Sequence, residues 1–387
     1  MTAPFGTPAP FAQHFIPISG GKDSTAVACL AVERMNRKPD FRPRFQFCDV
    51  DNENPITVDH VGYLEQALGV PIERLSAYDV PGLIDAAAFE RKRLAIRENW
   101  PKELRRTRHT TACNVRRSAI PKHAPGCRYS PERSAALREW AASCDCPVVV
   151  SPPVSASRIE QAIAALNPTG NAFLDMCLIH GRFPSKKAKF CTEELKILPL
   201  MLHKAPIWAA GGVTIDWVGE RAAESSDRAK KPTLQRERVG GGTKIITRPI
   251  HRWGADEVFA IAKRHGIRPN PLYLMGASRV GCWPCINCRK KEVALVARHT
   301  PEKIDWLRDA ERLVSLVSRR DQGGDGEYAT FFSADKVPGD LADWNRAAID
   351  KVVEWSATTR GGRQFDMLAA IDAASPLACD SEYGLCE

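Results

Sequence analysis

Two groups of residues in this chain of 387 have the types and the spacing to do chemistry. The first is Ser19-Gly20-Gly21-Lys22-Asp23-Ser24-Thr25, where an apolar run ends in two glycines and a polar set opens a segment of helical periodicity. Glycines let the backbone turn tightly and come close to a ligand. The helix start behind them aims N–H groups and the positive end of the macrodipole at an anion. Lys22 and the hydroxyls of Ser19, Ser24 and Thr25 add donors for phosphate oxygens. This is not a Walker A loop, which needs four residues between its first glycine and Gly-Lys-Ser/Thr. The second group is Cys282-x-x-Cys285-x-x-Cys288. Thiolates so spaced wrap one face of an iron–sulfur cluster, with a fourth ligand from elsewhere; four-cysteine zinc sites share the spacing and are the competing reading.

Other residues are weaker candidates. Phe45 to Asp49 is a second apolar run ending in acids, followed by the helical pattern of Val58, Val61, Leu64 and Leu68. At the end of a parallel strand, Asp49 and Asp51 are placed for a ribose, an adenine edge or Mg2+, while a helix N-cap is the structural use for one of them. His180 and Arg182 precede Cys191 closely enough to share its site, His180 as a proton carrier or as a plain loop residue. Cys113, Cys127, Cys144 and Cys146 form a separate group. Their spacings match no standard finger, but a two-pair metal site is conceivable. Cys29 and Cys48 fall on apolar elements and read as small core residues.

The elements that must hold these groups are α/β. Residues 12–85 alternate strand, helix, strand, helix, the start of a doubly wound parallel sheet. Residues 171–265 return to that pattern, with Pro206-Ile207-Trp208 and Asp216-Trp217-Val218 as strand candidates. Arg236 to Lys244, around Gly240-Gly241-Gly242, reads as a flexible loop able to close over a nucleotide. The expected organisation is a nucleotide-binding domain from 1–85 and 171–275, an insertion at 86–170 that could bind an acceptor, and a cysteine segment with a helical C-terminal region at 276–387.

The Ser19 loop resembles the pyrophosphate (PP) loop of the adenine nucleotide alpha-hydrolase superfamily, whose members cleave ATP between the α and β phosphates. Further motifs follow in order: Lys189-Phe190-Cys191-Thr192-Glu193-Glu194, Trp217 to Ala229, Arg248-Pro249-Ile250, Asn270-Pro271-Leu272-Tyr273 and Ser278 to Cys285. Together they resemble the phosphoadenosine phosphosulfate (PAPS) reductase family over residues 12–295, apart from the insertion. The resemblance implies a nucleotide on the first loop and basic residues such as Arg221 and Arg228 around its phosphates or a sulfur-bearing anion. It also implies that Cys191 comes to the Cys282 loop as the fourth ligand of a 4Fe-4S cluster.

Two departures shape the functional expectation. Family members that reduce adenylyl sulfates carry a Ser-Phe-Gly type of loop, since their substrate has no β and γ phosphates; this chain keeps Lys22 and Asp23, so its loop looks built for ATP and Mg2+. Those reductases also resemble one another in a catalytic cysteine within Glu-Cys-Gly-Leu-His, where this chain reads Glu382-Tyr383-Gly384-Leu385-Cys386. Cys386 is then a mobile thiol or part of a frayed end.

Composition completes the picture. Hydrophobic residues at 44% and charged residues at 26% are globular values. With 13 cysteines, no leader pattern and no long apolar segment, the chain is expected in the cytoplasm, away from membranes, with cysteines used for metal or redox chemistry rather than disulfides. The net charge of +9, with runs at Arg91-Lys92-Arg93, Arg105 to His109, Arg116-Arg117 and Lys186-Lys187, suits a nucleic-acid acceptor or solubilising surface. The expected activity is ATP cleavage to AMP and pyrophosphate in a sulfur-transfer or redox reaction with a sulfur donor protein. This resembles the branch that thiolates nucleic acid, including the ATP-pyrophosphatase component of DNA phosphorothioation systems. An adenylyl sulfate reductase binding a sulfonucleotide and a non-catalytic nucleotide sensor are the alternatives. Oligomeric state is not legible.

Overall fold

The computed structural model describes residues 12–107, 113, 131–146, 148–319, 329–339 and 343–358. Arg108, His109, Arg116, Arg117, Cys127 and the Tyr383–Cys386 tail lie outside the described residues. The chain divides into two units, one made of 1–90 with 165–387 and the other of 91–164. The strands are β1 (Ala12–Ile18), β2 (Arg44–Asp49), β3 (Ile72–Ser76), β4 (Leu104–Thr107), β5 (Val148–Ser151), β6 (Val213–Trp217), β7 (Leu234–Val239) and β8 (Gly242–Thr247).

The larger unit carries a six-stranded sheet in the order β3-β2-β1-β6-β8-β7, parallel except for the β7–β8 edge. The doubly wound α/β expectation therefore holds. From β1 the chain winds outward through β2 and β3, and the later strands β6 and β8 extend the sheet on the other side. Strand order reverses between β1 and β6, and the crevice outside the carboxyl ends at such a switch point is where open α/β sheets bind ligands. The loops that leave the sheet there are Ser19–Gly21 and Val218–Glu220.

Helix α1 (Lys22–Arg37) turns a face of small residues to the sheet; Ala26, Val27, Ala28 and Ala31 are fully buried with Ile16 and Ile18. They share one core cluster with Val258, Ile261 and Ala262 of the helix Ala255–Arg264. Each fully buried valine or isoleucine among them contributes about 1.5–3 kcal/mol. The helix Pro55–Leu68 starts on Asn54, whose side chain accepts from Ile56 N–H at 2.9 Å, with proline at the first turn.

Two local expectations are corrected. Pro206-Ile207-Trp208 lies in the helix Leu198–Ala209, because a short apolar run does not distinguish a strand from a buried helix. Arg236 to Lys244 is a β-hairpin, not an open loop: β7 and β8 pair through Val239 and Gly242, and Gly240 and Gly241 take φ of 51° and 88°. A two-residue hairpin turn of type I′ requires positive φ at both positions, which glycine adopts without strain.

Beyond the sheet, the helices Lys290–His299, Pro301–Leu316 and Ile349–Ser356 bury Val293, Val314 and Val352, with Phe331 and Phe332 also fully buried. Glu311 is buried there, and its carboxylate accepts from Phe331 N–H at 2.7 Å and Ile349 N–H at 3.0 Å. Burial pushes its pKa up to about 7 even so. In the smaller unit, β4 and β5 form an antiparallel pair, and a separate helix spans Pro131–Ala142. Among the described residues no helix is long and apolar enough to cross a membrane.

Candidate nucleotide site and cysteine centre

The Ser19–Thr25 loop is shaped by its own hydroxyls. Ser24 Oγ donates to Gly21 C=O at 3.0 Å and accepts from Ser19 N–H at 3.1 Å, while Thr25 Oγ1 donates to Gly21 C=O at 3.0 Å. Gly20 takes φ of 70°, and a Cβ there would stand 2.8 Å from Thr57 Cγ2, so glycine is required twice over. Two residues from far along the chain fix the rest. Asn270 Nδ2 donates to Gly20 C=O at 3.1 Å while its Oδ1 accepts from Leu272 N–H at 3.0 Å, so one amide holds the loop and caps the next helix. Tyr273 Oη accepts from Lys22 N–H at 3.0 Å, and its ring lies under the Lys22 ammonium, 5.4 Å from the centroid. A small pocket opens beside this loop, lined by Lys22, His60, Phe259, Arg268 and Tyr273 among others.

Of the basic and acidic residues singled out in the sequence, three come together. Asp23 is held between Arg221, whose Nε donates to Oδ1, and Lys22, whose Nζ stands 3.4 Å from Oδ2. Gly219 allows this approach from β6, since a Cβ there would lie 3.0 Å from the Asp23 carbonyl carbon and oxygen. Arg228 instead pairs with Glu224, one helical turn before it. Asp49 accepts from Asp51 N–H at 2.9 Å. Asp51 itself adopts the left-handed conformation, with φ of 57°. Its carboxylate accepts from Ala172 N–H at 2.8 Å, at the first turn of the helix Ala172–His180. The N-cap use foreseen for one of these acids falls to neither: Asn54 caps the helix Pro55–Leu68 and Asn171 caps Ala172–His180, while Asp51 adds an acceptor for that second helix's first N–H.

The loop after β2 runs against the cysteine turn. Trp283 N–H donates to Asn52 C=O at 2.7 Å, Asn52 Nδ2 donates to Pro284 C=O at 3.1 Å, and Glu53 forms a β-bridge with Cys282. Glu53 Oε1 accepts from Lys196 Nζ at 3.1 Å. Lys196 reaches in from a π-helical turn, Glu193–Ile197, that follows Cys191; such turns inside helices recur at functional sites. Burial pulls the Lys196 ammonium down, but the charges of Cys282 and Glu53 outweigh it and hold the pKa above its ordinary value. Burial likewise pushes Glu53 up, and Cys282 up to about 11, with Lys196 offsetting part of each. Cys191 is raised mainly by burial and further by Cys285. Cys288 rises to about 12 through burial, with Lys336 donating to its carbonyl. Arg279 hydrogen-bonds Cys285, and Lys303, pulled down to about 8 by burial, feels Glu53 and Cys282. His180 and Arg182 sit beside this turn, His180 bonded to Glu194 at 3.0 Å and stacked on Phe190.

Sequence reasoning missed Asn270, Tyr273, Gly219, Glu53, Lys196, Arg279 and Lys303 as site residues. Most lie within motifs noted above, yet nothing local marks which of their side chains reaches the loop or the thiols. Among the described residues, the set of three metal-ligating groups whose donor atoms all lie within 4.8 Å of one another is Cys113, Cys144 and Cys146, not the Cys191, Cys282, Cys285, Cys288 quartet. Cys29 and Cys177 are buried, and Cys48 donates its thiol to Leu195 C=O at 3.1 Å.

A mostly parallel α/β sheet with a glycine-rich loop at its switch point, and thiols in the same unit, defines a doubly wound α/β fold. The chain belongs to the phosphoadenosine phosphosulfate reductase family. The family model, described as a phosphoadenosine phosphosulfate reductase domain, matches residues 187–288, which hold Lys196, Arg221, Tyr273 and all four cysteines of the quartet. An uncharacterized 37.8 kDa protein of Escherichia phage 186 is 35% identical over 97% of this chain and 96% of its own length. Adenosine 5′-phosphosulfate reductase of Mesorhizobium japonicum is 28% identical over 33% of this chain and 41% of its own length. A phosphoadenylyl-sulfate reductase from Candida auris, solved with phosphate, aligns over 70% of this chain and 81% of that one, at 12% identity and a TM-score of 0.33.

Proposed function

We propose that this chain binds Mg-ATP on Ser19–Thr25, cleaves it to AMP and pyrophosphate, and couples that step to sulfur transfer or redox chemistry at a cysteine centre. The observation that carries the reading is the Lys22–Asp23–Arg221 group at the sheet's switch point. Two cations share one carboxylate, so the group keeps a net positive charge for a leaving pyrophosphate, and Asp23 holds both cations before substrate arrives. Preorganised cations of this kind stabilise charge that develops in the transition state, and removing one donor from such a site costs about 10²–10³ in rate. Asp49 and Asp51 are the candidates for a Mg2+ or ribose contact, each with one carboxylate oxygen already accepting from a backbone N–H.

Cys191, Cys282, Cys285 and Cys288 suit a 4Fe-4S cluster in donor chemistry. All four are thiols, and Lys196, Arg279 and Lys303 supply buried or half-buried positive charge against a net-negative thiolate cluster. A cubane places each thiolate on a different iron, so it does not need three sulfurs within 4.8 Å. One zinc holds its sulfurs about 3.8 Å apart, from a Zn–S bond of about 2.3 Å. The cluster would supply electron transfer or a site for sulfur. Lys196 and Glu53 would hold the Cys282 turn and balance its charge. A nucleic acid is the proposed acceptor on the strength of the +9 net charge.

Reduction of an adenylyl sulfate is the second reading, favoured by the partial alignments to adenosine 5′-phosphosulfate reductases. The test is to incubate anaerobically purified protein with Mg-ATP, with and without DNA or tRNA, and separately with adenylyl sulfate and a thiol reductant. Pyrophosphate and AMP, lost in Lys22→Ala, support the proposal. Sulfite release without ATP cleavage favours the reductase, and tight ATP binding with neither product overturns both in favour of a nucleotide sensor.

A further inference from the structure

We propose that Cys113, Cys144 and Cys146 hold a single Zn2+ that staples the 91–164 unit, a metal site separate from the quartet. The three sulfurs lie within 4.8 Å of one another, and Cys113 Sγ and Cys144 Sγ are 3.2 Å apart. That separation is too long for a disulfide, whose S–S bond is about 2.05 Å. It also falls short of the roughly 3.8 Å between sulfurs around one tetrahedral zinc, so a small outward movement seats the ion. Thiolates spread over separate irons of a cluster have no need of such crowding. Soft sulfur donors in a compact set select zinc among the common divalent ions.

The scaffold is built to deliver these thiols. Cys113 is buried, and Trp140 Nε1 donates to its carbonyl at 3.0 Å, fastening the Cys113 backbone to the helix Pro131–Ala142. That helix ends just before Cys144-Asp145-Cys146, so its C-terminal end carries the other two sulfurs to the same point.

The unit has reason to need the ion. A unit spanning 91–164 sits at the size, about 70–80 residues, around which a hydrophobic core alone gives only marginal stability. Its described sheet is one pair of four-residue strands, marginal by itself, and Val148 and Val150 on β5 are exposed. Bridging Cys113 to Cys144 closes a long loop of the unit at one point.

The experiment is metal analysis of the full chain, purified without added metal, as wild type, as Cys282→Ala/Cys285→Ala, and as Cys113→Ser/Cys144→Ser/Cys146→Ser. About one zinc per chain is expected in the first two and none above background in the third. Because the triple variant could lose metal by unfolding, Cys146→His and Co2+ replacement give an independent readout. Cobalt in the wild type should show the visible bands and sulfur-to-metal charge transfer of a tetrahedral thiolate site, and the histidine variant should keep cobalt with its bands moved to shorter wavelength. Zinc unchanged in the triple variant, cobalt spectra unmoved by Cys146→His, or metal-free wild type with a Cys113–Cys144 disulfide would each overturn the site. Pyrophosphate release in the Cys282→Ala/Cys285→Ala background is not part of this readout, so the two proposals fail separately.

Discussion

The two cysteine groups differ in spacing and in company. Cys113, Cys144 and Cys146 crowd within 4.8 Å in a small unit, with the Cys113 and Cys144 sulfurs 3.2 Å apart and an indole holding the Cys113 backbone. Cys191, Cys282, Cys285 and Cys288 stand further apart and are ringed by Lys196, Arg279, Lys303 and Lys336. Cations beside thiols lower the cost of burying negative charge, which suits a centre that must accept or pass charge. A set of three sulfurs crowded at one point suits a single ion that holds chain together. The distinction lies in the spacing of the sulfur atoms, since both groups are made of the same side chain.

The largest effect should come from cutting the cation-ringed group. Cys282→Ala/Cys285→Ala is expected to lose all iron and sulfide, with the visible absorption, while keeping its zinc. Loss of both metals together would collapse the contrast between the two groups. Next in size is Lys22→Ala, which should slow pyrophosphate release about 100-fold or more and leave both metals in place. A drop in metal content there would tie the nucleotide loop to the thiols more directly than the geometry does.

A smaller effect tests the charge balance itself. Lys196→Met strands the buried Glu53 carboxylate, and unfolding in urea should become easier by about 1–3 kcal/mol. Glu53→Gln in the same background should recover much of that loss; no recovery would mean that Lys196 acts through packing alone. The smallest effect lies outside both groups. Glu311 has a folded pKa of about 7 against an ordinary 4.5, so the folded state binds its proton more tightly and stability falls as pH rises between those values. The melting temperature of the wild type should therefore decline from pH 5 to 8 relative to Glu311→Gln. Parallel curves would assign the decline to another group.

Much of the sheet was legible, because β1, α1 and β2 follow one another with period and breaker signals that local sequence carries. The Ser19–Thr25 loop was legible for the same reason: two glycines, a lysine and hydroxyls stand side by side. Cys282, Cys285 and Cys288 announce themselves through even spacing. The Cys113 group was visible only as unmatched spacings, since its sulfurs meet by closing a long loop. Pro206-Ile207-Trp208 misled because burial on all sides erases the difference between a strand and a helix, and Gly240-Gly241 because flexibility in the unfolded chain and a tight turn in the folded one call for the same residue. Asn270 and Tyr273 were seen as a helix start; their second partners, Gly20 C=O and Lys22 N–H, belong to the opposite end of the chain.

That last pairing orders events in time. A ribosome adding about 5–20 residues per second needs tens of seconds, on that scale, to travel from Gly20 to Asn270. Throughout that interval the nascent loop has its glycines and its lysine but neither the amide nor the phenol that fixes them. The loop's support is therefore finished late in synthesis although the loop is encoded first, and a chain halted before Tyr273 would carry the motif without the contacts that fix it.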